Sequence, residues 1–452
     1  MSIENPFFHR GAIRRAEDFI GREAEINQIL GLLKNGQSVS LIGPRRIGKS
    51  SLLLQLSTPT IRALYRLDPA HALFVLLDCQ ELAGSPPEEV YELFLDGLLD
   101  AAQQAGLMLE RDTHPGSYRT LDRVLNQIYQ KKLSVVVMLD EFELLAANQH
   151  LTPYFFARLR GLTTKYGLAF LTASQKPLFA ITAEEEILSS PFFNIFVTLP
   201  LGLFNEAESL TLIHERLAQT DIVFSGGLIR HLLFLVGTHP FFLQIGSYHA
   251  FNALIVDGLQ ESVTPNVNHS PSQIDGPIEV ETESHLSYLW QNLSSEEKHV
   301  LAIADGPIET LRLLEQQCLL VKNGEQYGYS SELLRRFVRR QNVPGLVQAG
   351  PFVIDDQRYQ VWGNGRELNL TASQFNILVR LCQNPEQVVR AEDLEQAVWG
   401  DVLVDDPDRL KTLIKRLRRA VDPFDNWIVS ERGVGYALRS PDNSPTGKTS
   451  IL

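Results

Sequence analysis

Short apolar runs alternate with longer segments of helical spacing through the first 255 residues of the chain. The runs Val39–Ile42, Val135–Leu139 and Leu168–Leu171 are only four or five residues long and end at polar or charged positions. Runs of this length predict buried strands, and strands that alternate with helices favour a parallel sheet. We therefore expect residues 1–255 to form an α/β domain.

A stretch without any sustained period, residues 256–284, follows this domain. Between residues 251 and 310 there are ten acidic residues and one lysine. Like charges at this density are typical of a solvated tether that repels itself. We expect an acidic linker at 256–284, then two small units at 285–342 and 346–441, and a disordered tail at 442–452.

Length and composition restrict the class of protein. The chain has 452 residues, 44% of them hydrophobic, which is enough for about three domains of ordinary size and excludes global disorder. Its net charge of -13 argues against a chain that binds nucleic acid or an anionic membrane through its overall field. Three cysteines far apart indicate neither a disulfide framework nor a zinc site. No apolar stretch is long enough to span a membrane. We expect a cytoplasmic protein with no membrane partner.

The strongest chemical signal is the segment Gly43-Pro-Arg-Arg-Ile-Gly48-Lys49-Ser50, which stands between an apolar strand and a helical stretch. Glycines in such a loop let backbone N–H groups turn toward phosphate oxygens, and the helix N-terminus adds the positive end of its dipole. Lys49 is placed to reach the β- and γ-phosphates, and Ser50 to ligate Mg²⁺. A plain glycine turn is the alternative. The predicted nucleotide-binding residues of this segment are Gly43, Pro44, Arg45, Arg46, Ile47, Gly48, Lys49, Ser50 and Ser51.

Acidic and polar residues follow two further strands. Asp140 and Glu141 come directly after an apolar strand, a position from which Asp140 would hold the metal and Glu141 would act as general base. With Lys49 they form the predicted catalytic set, and an acidic helix cap is the alternative. The third strand ends at Ser174 and Gln175, where Ser174 is the predicted contact to the γ-phosphate. Strand ends are often polar for other reasons, so this signal is weaker.

These motifs, together with Phe19-Ile20-Gly21-Arg22 upstream and Gly237-Thr-His-Pro240 downstream, resemble the signal-transduction ATPases with numerous domains (STAND). Within the AAA+-like proteins the resemblance is to the archaeal-ATPase-type branch, and it covers about residues 16–342. It implies ATP and Mg²⁺ as cofactors, a helical lid, and a small winged-helix domain after the lid. It also allows an ATP-dependent homo-oligomer.

The same resemblance assigns the base-binding part of the site. It implies that Ile20, Gly21, Arg22 and Pro240 bind nucleotide. Otherwise Ile20 is a core residue and Pro240 merely starts a helix. Many relatives have an arginine after the third strand where this chain has Gln175, which leaves the γ-phosphate sensor and the rate of hydrolysis open.

The last unit resembles a second family. Leu370-Thr371 before an amphipathic helix, Val388-Val389 before a helix to Trp399, and Arg-Gly-Val-Gly-Tyr at 432–436 occur in this order. The order is that of the OmpR/PhoB-type winged-helix DNA-binding domain of response regulators, and the resemblance covers residues 350–440. It implies a bacterial regulator that binds double-stranded DNA. The expected fold class is thus an α/β P-loop NTPase, a parallel sheet with a helical lid, followed by two small winged-helix domains.

A basic helix within this unit is consistent with DNA binding on its residues alone. One face is apolar at helical spacing, and residues 409–419 contain six basic side chains and no acidic one. This is the pattern expected of a helix in the major groove, with Arg432 of the hairpin near the minor groove. A winged helix kept only for protein contacts is the alternative. The residues expected to pack inward are Leu410, Leu413, Ile414, Leu417 and Val421. The predicted DNA-binding residues are Arg409, Lys411, Thr412, Lys415, Arg416, Arg419 and Arg432.

Three functions fit these features. The leading one is an ATP-dependent, nucleotide-switched transcriptional regulator with weak ATPase activity, in which ATP binding and hydrolysis control how the C-terminal winged helix is presented to DNA. The alternatives are a DNA-transaction ATPase, such as a transposition or replication helper, and a STAND-type conflict-response scaffold.

Overall fold

The computed structural model describes residues 4–8, 10–110, 116–178, 181, 191–260, 272–356, 358–400 and 408–441. The tail expected at 442–452 lies outside this part of the chain. Two compact units are present, Met1–Thr282 with Gln316–Cys318 and Glu283–Glu315 with Leu319–Leu452. Within the described ranges, no helix is both long and apolar enough to cross a membrane.

The first unit is built on one parallel sheet. Its strands are β1 (Ser38–Ile42), β2 (Ala72–Asp78), β3 (Ser134–Asp140), β4 (Ala169–Ser174) and β5 (Phe196–Pro200). Its helices up to β4 are α1 (Glu23–Lys34), α2 (Lys49–Leu56), α3 (Pro59–Ala63), α4 (Pro87–Gln104), α5 (Tyr118–Gln130), α6 (Phe142–Ala146) and α7 (Pro153–Tyr166). The strands lie in the order β2-β3-β4-β1-β5, and each neighbouring pair is parallel. The expected α/β fold is confirmed.

Helices cover both faces of this sheet. Val135 and Val137 of β3 belong to an apolar cluster with α4, α5 and α7. Val136 and Met138 point to the other face and cluster with α1 and α2. Because successive side chains of a strand alternate between faces, a strand buried on both sides reads as a continuous apolar run.

A helical lid follows β5. Its helices are α8 (Glu206–Leu217), α9 (Gly226–Val236), α10 (Pro240–Gln260) and α11 (Ser272–Gln291). Asn205 and Glu208 form a capping box at the start of α8. Gly237 ends α9 with a φ of 67°, which glycine adopts without steric cost.

The linker expected at residues 256–284 is helical over much of its length. Helix α10 continues to Gln260 and α11 begins at Ser272, while residues 261–271 lie outside the described residues. Pro277 lies inside α11, where it removes one backbone donor. The sequence analysis missed this helix because Gly276 and Pro277 interrupt its apolar positions.

Acidic residues of α11 hold it against α9 and α10, two other helices of the lid. Asp275 Oδ1 lies 2.7 Å from His231 Nε2 of α9, and Glu281 Oε2 lies 2.7 Å from His249 Nε2 of α10. The side chains of α11 that are buried at four-residue spacing are Ile274, Ile278, Thr282 and Leu286. The acidic side chains assigned to a tether therefore serve partly in internal contacts with histidines of the neighbouring helices.

The second unit contains two successive groups of helices, and each group includes a β-hairpin. The elements of the first group are α12 (Ser295–Ile303), α13 (Ile308–Gln316), β6 (Leu320–Asn323), β7 (Gln326–Tyr329) and α14 (Glu332–Arg339). The second group begins with the antiparallel strands β8 (Leu346–Ala349), β9 (Phe352–Asp355), β10 (Gln360–Gly363) and β11 (Arg366–Glu367). It continues with α15 (Ala372–Cys382), β12 (Val388–Arg390), α16 (Ala391–Trp399), α17 (Arg409–Ala420), β13 (Ile428–Glu431) and β14 (Gly435–Leu438). This is the order of two winged helices, as expected.

The two central strands of the sheet β8–β11, β9 and β10, are buried on both faces. Phe352 and Ile354 of β9 cluster with apolar residues of α15 and α17. Val353 of β9 and Trp362 of β10 point the other way and cluster with Ile303 of α12. The two winged helices of this unit therefore pack directly against each other.

Buried polar contacts accompany this packing. The guanidinium of Arg339, in α14, donates to the carbonyl oxygens of Phe352 and Pro351 at 3.0 and 3.1 Å, and burial lowers the pKa of Arg339. The indole N–H of Trp362 donates to Asp305 at 3.3 Å. Directed bonds of this kind fix how the two winged helices are oriented.

We predict that Trp362→Ala destabilises the second unit by about 3–5 kcal/mol, because it removes a large buried side chain and leaves a cavity. Urea unfolding of the full chain, followed by far-UV circular dichroism, measures the loss. Tyr359→Ala is the matched control, since Tyr359 is 66% exposed and should cost less than about 1 kcal/mol. Equal effects of the two variants would contradict the packing.

Candidate functional site

The loop between β1 and α2 is shaped for an anion. The Gly43 N–H donates to the Ser174 carbonyl oxygen at 3.1 Å. A Cβ on Gly43 would lie 2.6 Å from the Leu201 carbonyl oxygen, so only glycine fits there. Arg46 and Gly48 have φ angles of 66° and 105°, and left-handed residues between right-handed ones are typical of anion-binding loops.

Lys49, the first residue of α2, is buried inside this loop. Its ammonium donates to the carbonyl oxygens of Gly43 and Pro44 at 2.7 and 3.0 Å. Burial lowers the pKa of Lys49, while neighbouring carboxylates, Glu143 most strongly, act in the opposite direction. A phosphate oxygen would find an ammonium that is already withdrawn from water and held by the loop.

The other loop residues have varied environments. Pro44 and Ile47 are buried, Arg45 and Arg46 are exposed, and Ser50 is half-buried near the start of α2. Ser51 is buried, and its hydroxyl oxygen accepts the Ile13 N–H at 3.0 Å. The predicted phosphate-binding segment is therefore assembled as one local structure.

Asp140 and Glu141 stand at the end of β3. The Glu141 N–H donates to Asp140 Oδ1 at 3.0 Å, and Glu141 has a left-handed φ of 49° at the start of α6. Burial, and next the neighbouring Glu143, raises the pKa of Glu141. A carboxylate with a raised pKa is a stronger base toward water.

The end of β4 lies between the other two functional strands, because β4 pairs with β3 on one side and β1 on the other. Ser174, the predicted contact to the γ-phosphate, uses its hydroxyl in a hydrogen bond within the protein. It is fully buried, and its hydroxyl donates to the Lys176 carbonyl oxygen at 2.8 Å, because the chain turns there and the hydroxyl closes the turn. Gln175 is the polar residue that remains half-exposed.

Glu143 is a residue of this site that the sequence analysis missed. Its Oε1 accepts the Gln175 side-chain amide at 3.0 Å and the Gln175 backbone N–H at 3.3 Å. The available signal was a third acidic residue two positions after Glu141. Nothing in the spacing alone predicted its contact with the end of β4.

Arg22, a predicted nucleotide contact, is bonded to other groups of the protein. Its guanidinium donates to the carbonyl oxygens of Gly202 and Ile47 at 2.6 and 3.3 Å, and to Glu25 at 2.9 Å. The side chain is only 4% exposed. These groups all face Arg22 from the protein, so it ties the phosphate loop to the chain after β5.

Ile20 and Gly21 lie beside this tie. Ile20 is buried, which agrees with a core residue. The carboxylate of Glu208 in α8 accepts the Arg22 N–H at 2.8 Å, and a Cβ on Gly21 would lie 3.1 Å from Glu208 Oε1. Glu208 was not predicted, and it joins the start of the lid to this segment.

The lid and the N-terminal segment both reach the phosphate loop. Pro240 begins α10, and the next residue, Phe241, places its ring 5.2 Å from the Arg46 guanidinium. Arg46 also donates to the Arg10 carbonyl oxygen. The sequence analysis made no prediction about a contact between the N-terminal segment and the loop. The sequence feature that could have indicated this contact is the aromatic residue Phe7, which is fully buried in the structure.

The arrangement fits a nucleoside triphosphate with Mg²⁺. Within the described ranges, no group of three or more His, Cys, Asp or Glu side chains is arranged to hold a metal by itself. A P-loop requires fewer protein ligands, because phosphate oxygens complete the octahedral shell. Ser50 and Asp140 are the candidates to hold the ion.

The predicted DNA-binding residues of α17 face solvent, with one exception. Leu410, Ile414, Leu417 and Val421 are buried, which confirms the inward face, and Leu413 packs partly buried against the same cluster. The predicted DNA-binding residues that are exposed are Lys411, Thr412, Lys415, Arg416, Arg419 and Arg432. Lys411 pairs with Asp408 at 2.9 Å. Lys415, Arg416, Arg419 and Arg432 have no acidic partner among the residues that the structure describes.

Arg409 is the exception. Its side chain is 11% exposed, its guanidinium lies 4.3 Å from the Trp399 ring centroid, and it pairs with Glu395 at 3.5 Å. Both partners belong to α16. Arg409 therefore holds α17 on α16, because a guanidinium gains more from an aromatic face and a carboxylate than from water at this position.

Comparison with known proteins agrees with this geometry. Residues 27–306, more than half of the chain, match the family described as novel STAND NTPase 2. This chain belongs to that STAND family. Residues 365–438 of this STAND protein match the family of C-terminal domains of transcriptional regulatory proteins. Both expected resemblances are confirmed.

Individual relatives cover one part or the other. The response regulator ArlR of Staphylococcus aureus (strain NCTC 8325 / PS 47) is 30% identical over 108 residues, 24% of this chain and 49% of that protein. The chain thus spans about half the length of its curated relatives. The Walker-type ATPase paby2304 of Pyrococcus abyssi is similar in fold, with a TM-score of 0.53, 16% identity, and coverage of 74% of this chain and 99% of that chain. The DNA-binding domain of CpxR from E. coli is 30% identical, with a TM-score of 0.20 and coverage of 21% and 96%.

We predict that Lys49→Ala lowers nucleotide affinity by about 100-fold, because it removes the buried ammonium that a phosphate would meet. Isothermal titration with ATP and Mg²⁺ measures the change. Lys34→Ala, at an exposed position at the end of α1, is the matched control and should bind normally. Unchanged affinity in Lys49→Ala would refute the assignment of the loop.

We predict that the double variant Arg416→Ala/Arg419→Ala weakens DNA binding by roughly 10- to 100-fold and lowers the salt slope by about 2, because two exposed positive charges are lost. Fluorescence anisotropy over a range of salt concentrations gives both quantities. Arg312→Ala/Arg366→Ala makes the same charge change at exposed positions away from α17. If the two double variants behave alike, α17 is not the DNA-binding helix.

Proposed function

We propose that this STAND protein is an ATP-switched, DNA-binding transcriptional regulator. The observation that carries the proposal is that one chain combines two features. One is a pre-shaped phosphate loop around buried Lys49. The other is a basic helix on which Lys415, Arg416 and Arg419 are exposed and have no acidic partner among the described residues. The preference for ATP over other nucleoside triphosphates follows from the family.

Each residue of the nucleotide site has a role in this proposal. Lys49 leaves the loop carbonyls and binds the terminal phosphates. Ser50 and Asp140 hold Mg²⁺, which when bound neutralises charge on the phosphate oxygens. Glu141 accepts a proton from the attacking water, and its raised pKa suits it to that task.

A chain of contacts in the first unit supports a response of the lid to the nucleotide. Arg46 of the phosphate loop donates to the Arg10 carbonyl oxygen, and Arg10 Nε donates to Glu281 Oε1 of α11 at 2.5 Å. A phosphate that displaces Arg46 would therefore act on α11 through only two intervening bonds. Such a response requires that ATP bind the two arrangements with different affinity.

The packing of the second unit supports the proposed effect of ATP on DNA binding. Because the outer face of sheet β8–β11 is buried against α12, the winged helix that carries α17 is not an independent domain on a tether. A change in the position of α12 would therefore be transmitted to α17. The proposal makes ATP occupancy control access of the basic face to DNA.

We predict that the affinity of the full chain for its preferred DNA site differs by about tenfold or more between the ADP-bound and AMP-PNP-bound states, which is within the usual range of coupling between two sites. The site is selected from genomic fragments, and anisotropy gives the two dissociation constants. Lys49→Ala is the control, since it should bind this DNA with one affinity whichever nucleotide is added.

Two results would contradict the proposal. Identical affinity in the two nucleotide states would remove the switch. Hydrolysis stimulated equally by any DNA sequence would instead favour a DNA-transaction ATPase.

A further inference from the structure

The carboxylate of Glu143 lies among the groups of the nucleotide site without a role in the chemistry proposed above. Its Oε1 accepts two hydrogen bonds from Gln175, and its Oε2 is buried and accepts none within the described residues. Among the carboxylates around Lys49 it has the largest influence on that ammonium. A buried carboxylate oxygen without a hydrogen-bond partner is unusual, so its presence requires an explanation.

Gln175 lies at the same edge of the sheet as the phosphate loop and Asp140. It follows β4, between β3 with Asp140 and β1 with the phosphate loop. Two polar residues, Ser174 and Gln175, lie at this strand end, and the Ser174 hydroxyl already donates to the Lys176 carbonyl oxygen. The amide of Gln175 is the donor that remains between them.

Glu143 determines which way this amide faces. An ionised carboxylate only accepts hydrogen bonds, so the NH₂ end of Gln175, and not its carbonyl end, must face Glu143. One amide hydrogen is used in that bond. The second hydrogen remains for another acceptor, and a phosphate oxygen is an acceptor of this kind.

We propose that Glu143 is a positioning residue that orients the Gln175 amide toward the γ-phosphate, so that the site distinguishes ATP from ADP. The inference rests on the proposed nucleotide switch and names its discriminating element.

Equilibrium binding of the full chain to AMP-PNP and to ADP, each with Mg²⁺, tests this role without requiring turnover. Glu143→Ala and Gln175→Ala should each weaken AMP-PNP binding about tenfold, the value of one hydrogen bond to a charged group, and leave ADP binding within about twofold. The double variant should lose no more than either single variant, because both remove the same contact. Glu143→Gln keeps the shape of the side chain but lets the Gln175 amide face either way, so we expect an intermediate loss of AMP-PNP affinity. This variant keeps the test decisive if Glu143→Ala folds poorly.

Glu215→Ala, on the exposed face of α8, is the matched control and should bind both nucleotides normally. An unchanged preference for AMP-PNP in Glu143→Ala, additive losses in the double variant, or an equal loss of ADP binding would each overturn the positioning role. Failure of the wild-type chain to bind either nucleotide would instead overturn the proposed function itself.

Discussion

The common direction of the five strands is the constraint on which the rest of the first unit depends. Because neighbouring strands are parallel, their carboxyl ends open on one edge of the sheet. The phosphate loop, Asp140 and Gln175 are spread over about 130 positions of the sequence. Each nevertheless follows one of three adjacent strands, β1, β3 and β4. Reversing any of these strands would place one part of the site at the opposite edge. The lid and the N-terminal segment then close over groups that the sheet has already brought together.

Sequence reasoning succeeded where function depends on local geometry. The phosphate loop is a contiguous strand, turn and helix, so its residues specify its shape directly. The inward face of α17 is likewise a helical period that needs no knowledge of the partner. Prediction was weaker where a side chain depends on distant partners. Arg409 and Arg416 are both arginines of the same basic segment, but only Arg409 lies over Trp399. The residue type alone does not predict which of the two makes this contact.

The same limit explains the acidic stretch. A low apolar content with many carboxylates indicates a tether only if the carboxylates have no partners. Here His231 of α9 lies within hydrogen-bond distance of Asp275, and His249 of α10 within hydrogen-bond distance of Glu281, across sequence separations of 44 and 32 residues. Net charge was therefore a poor guide to the structure of this region, because it counts acidic residues without regard to the side chains that they contact. The exposed basic face of α17 was obscured by the same averaging.

The N-terminal segment has a consequence for how the first unit folds. Asn5 donates to the Tyr248 carbonyl oxygen and to Asn252, and Arg10 reaches Glu281, across sequence separations of 243, 247 and 271 residues. Contacts of such high sequence separation form late, because the intervening chain must first be ordered. During synthesis these residues leave the ribosome long before their partners. The earliest-made part of the unit is thus among the last to reach its native position, and Phe7 stays without its buried site until the lid is complete.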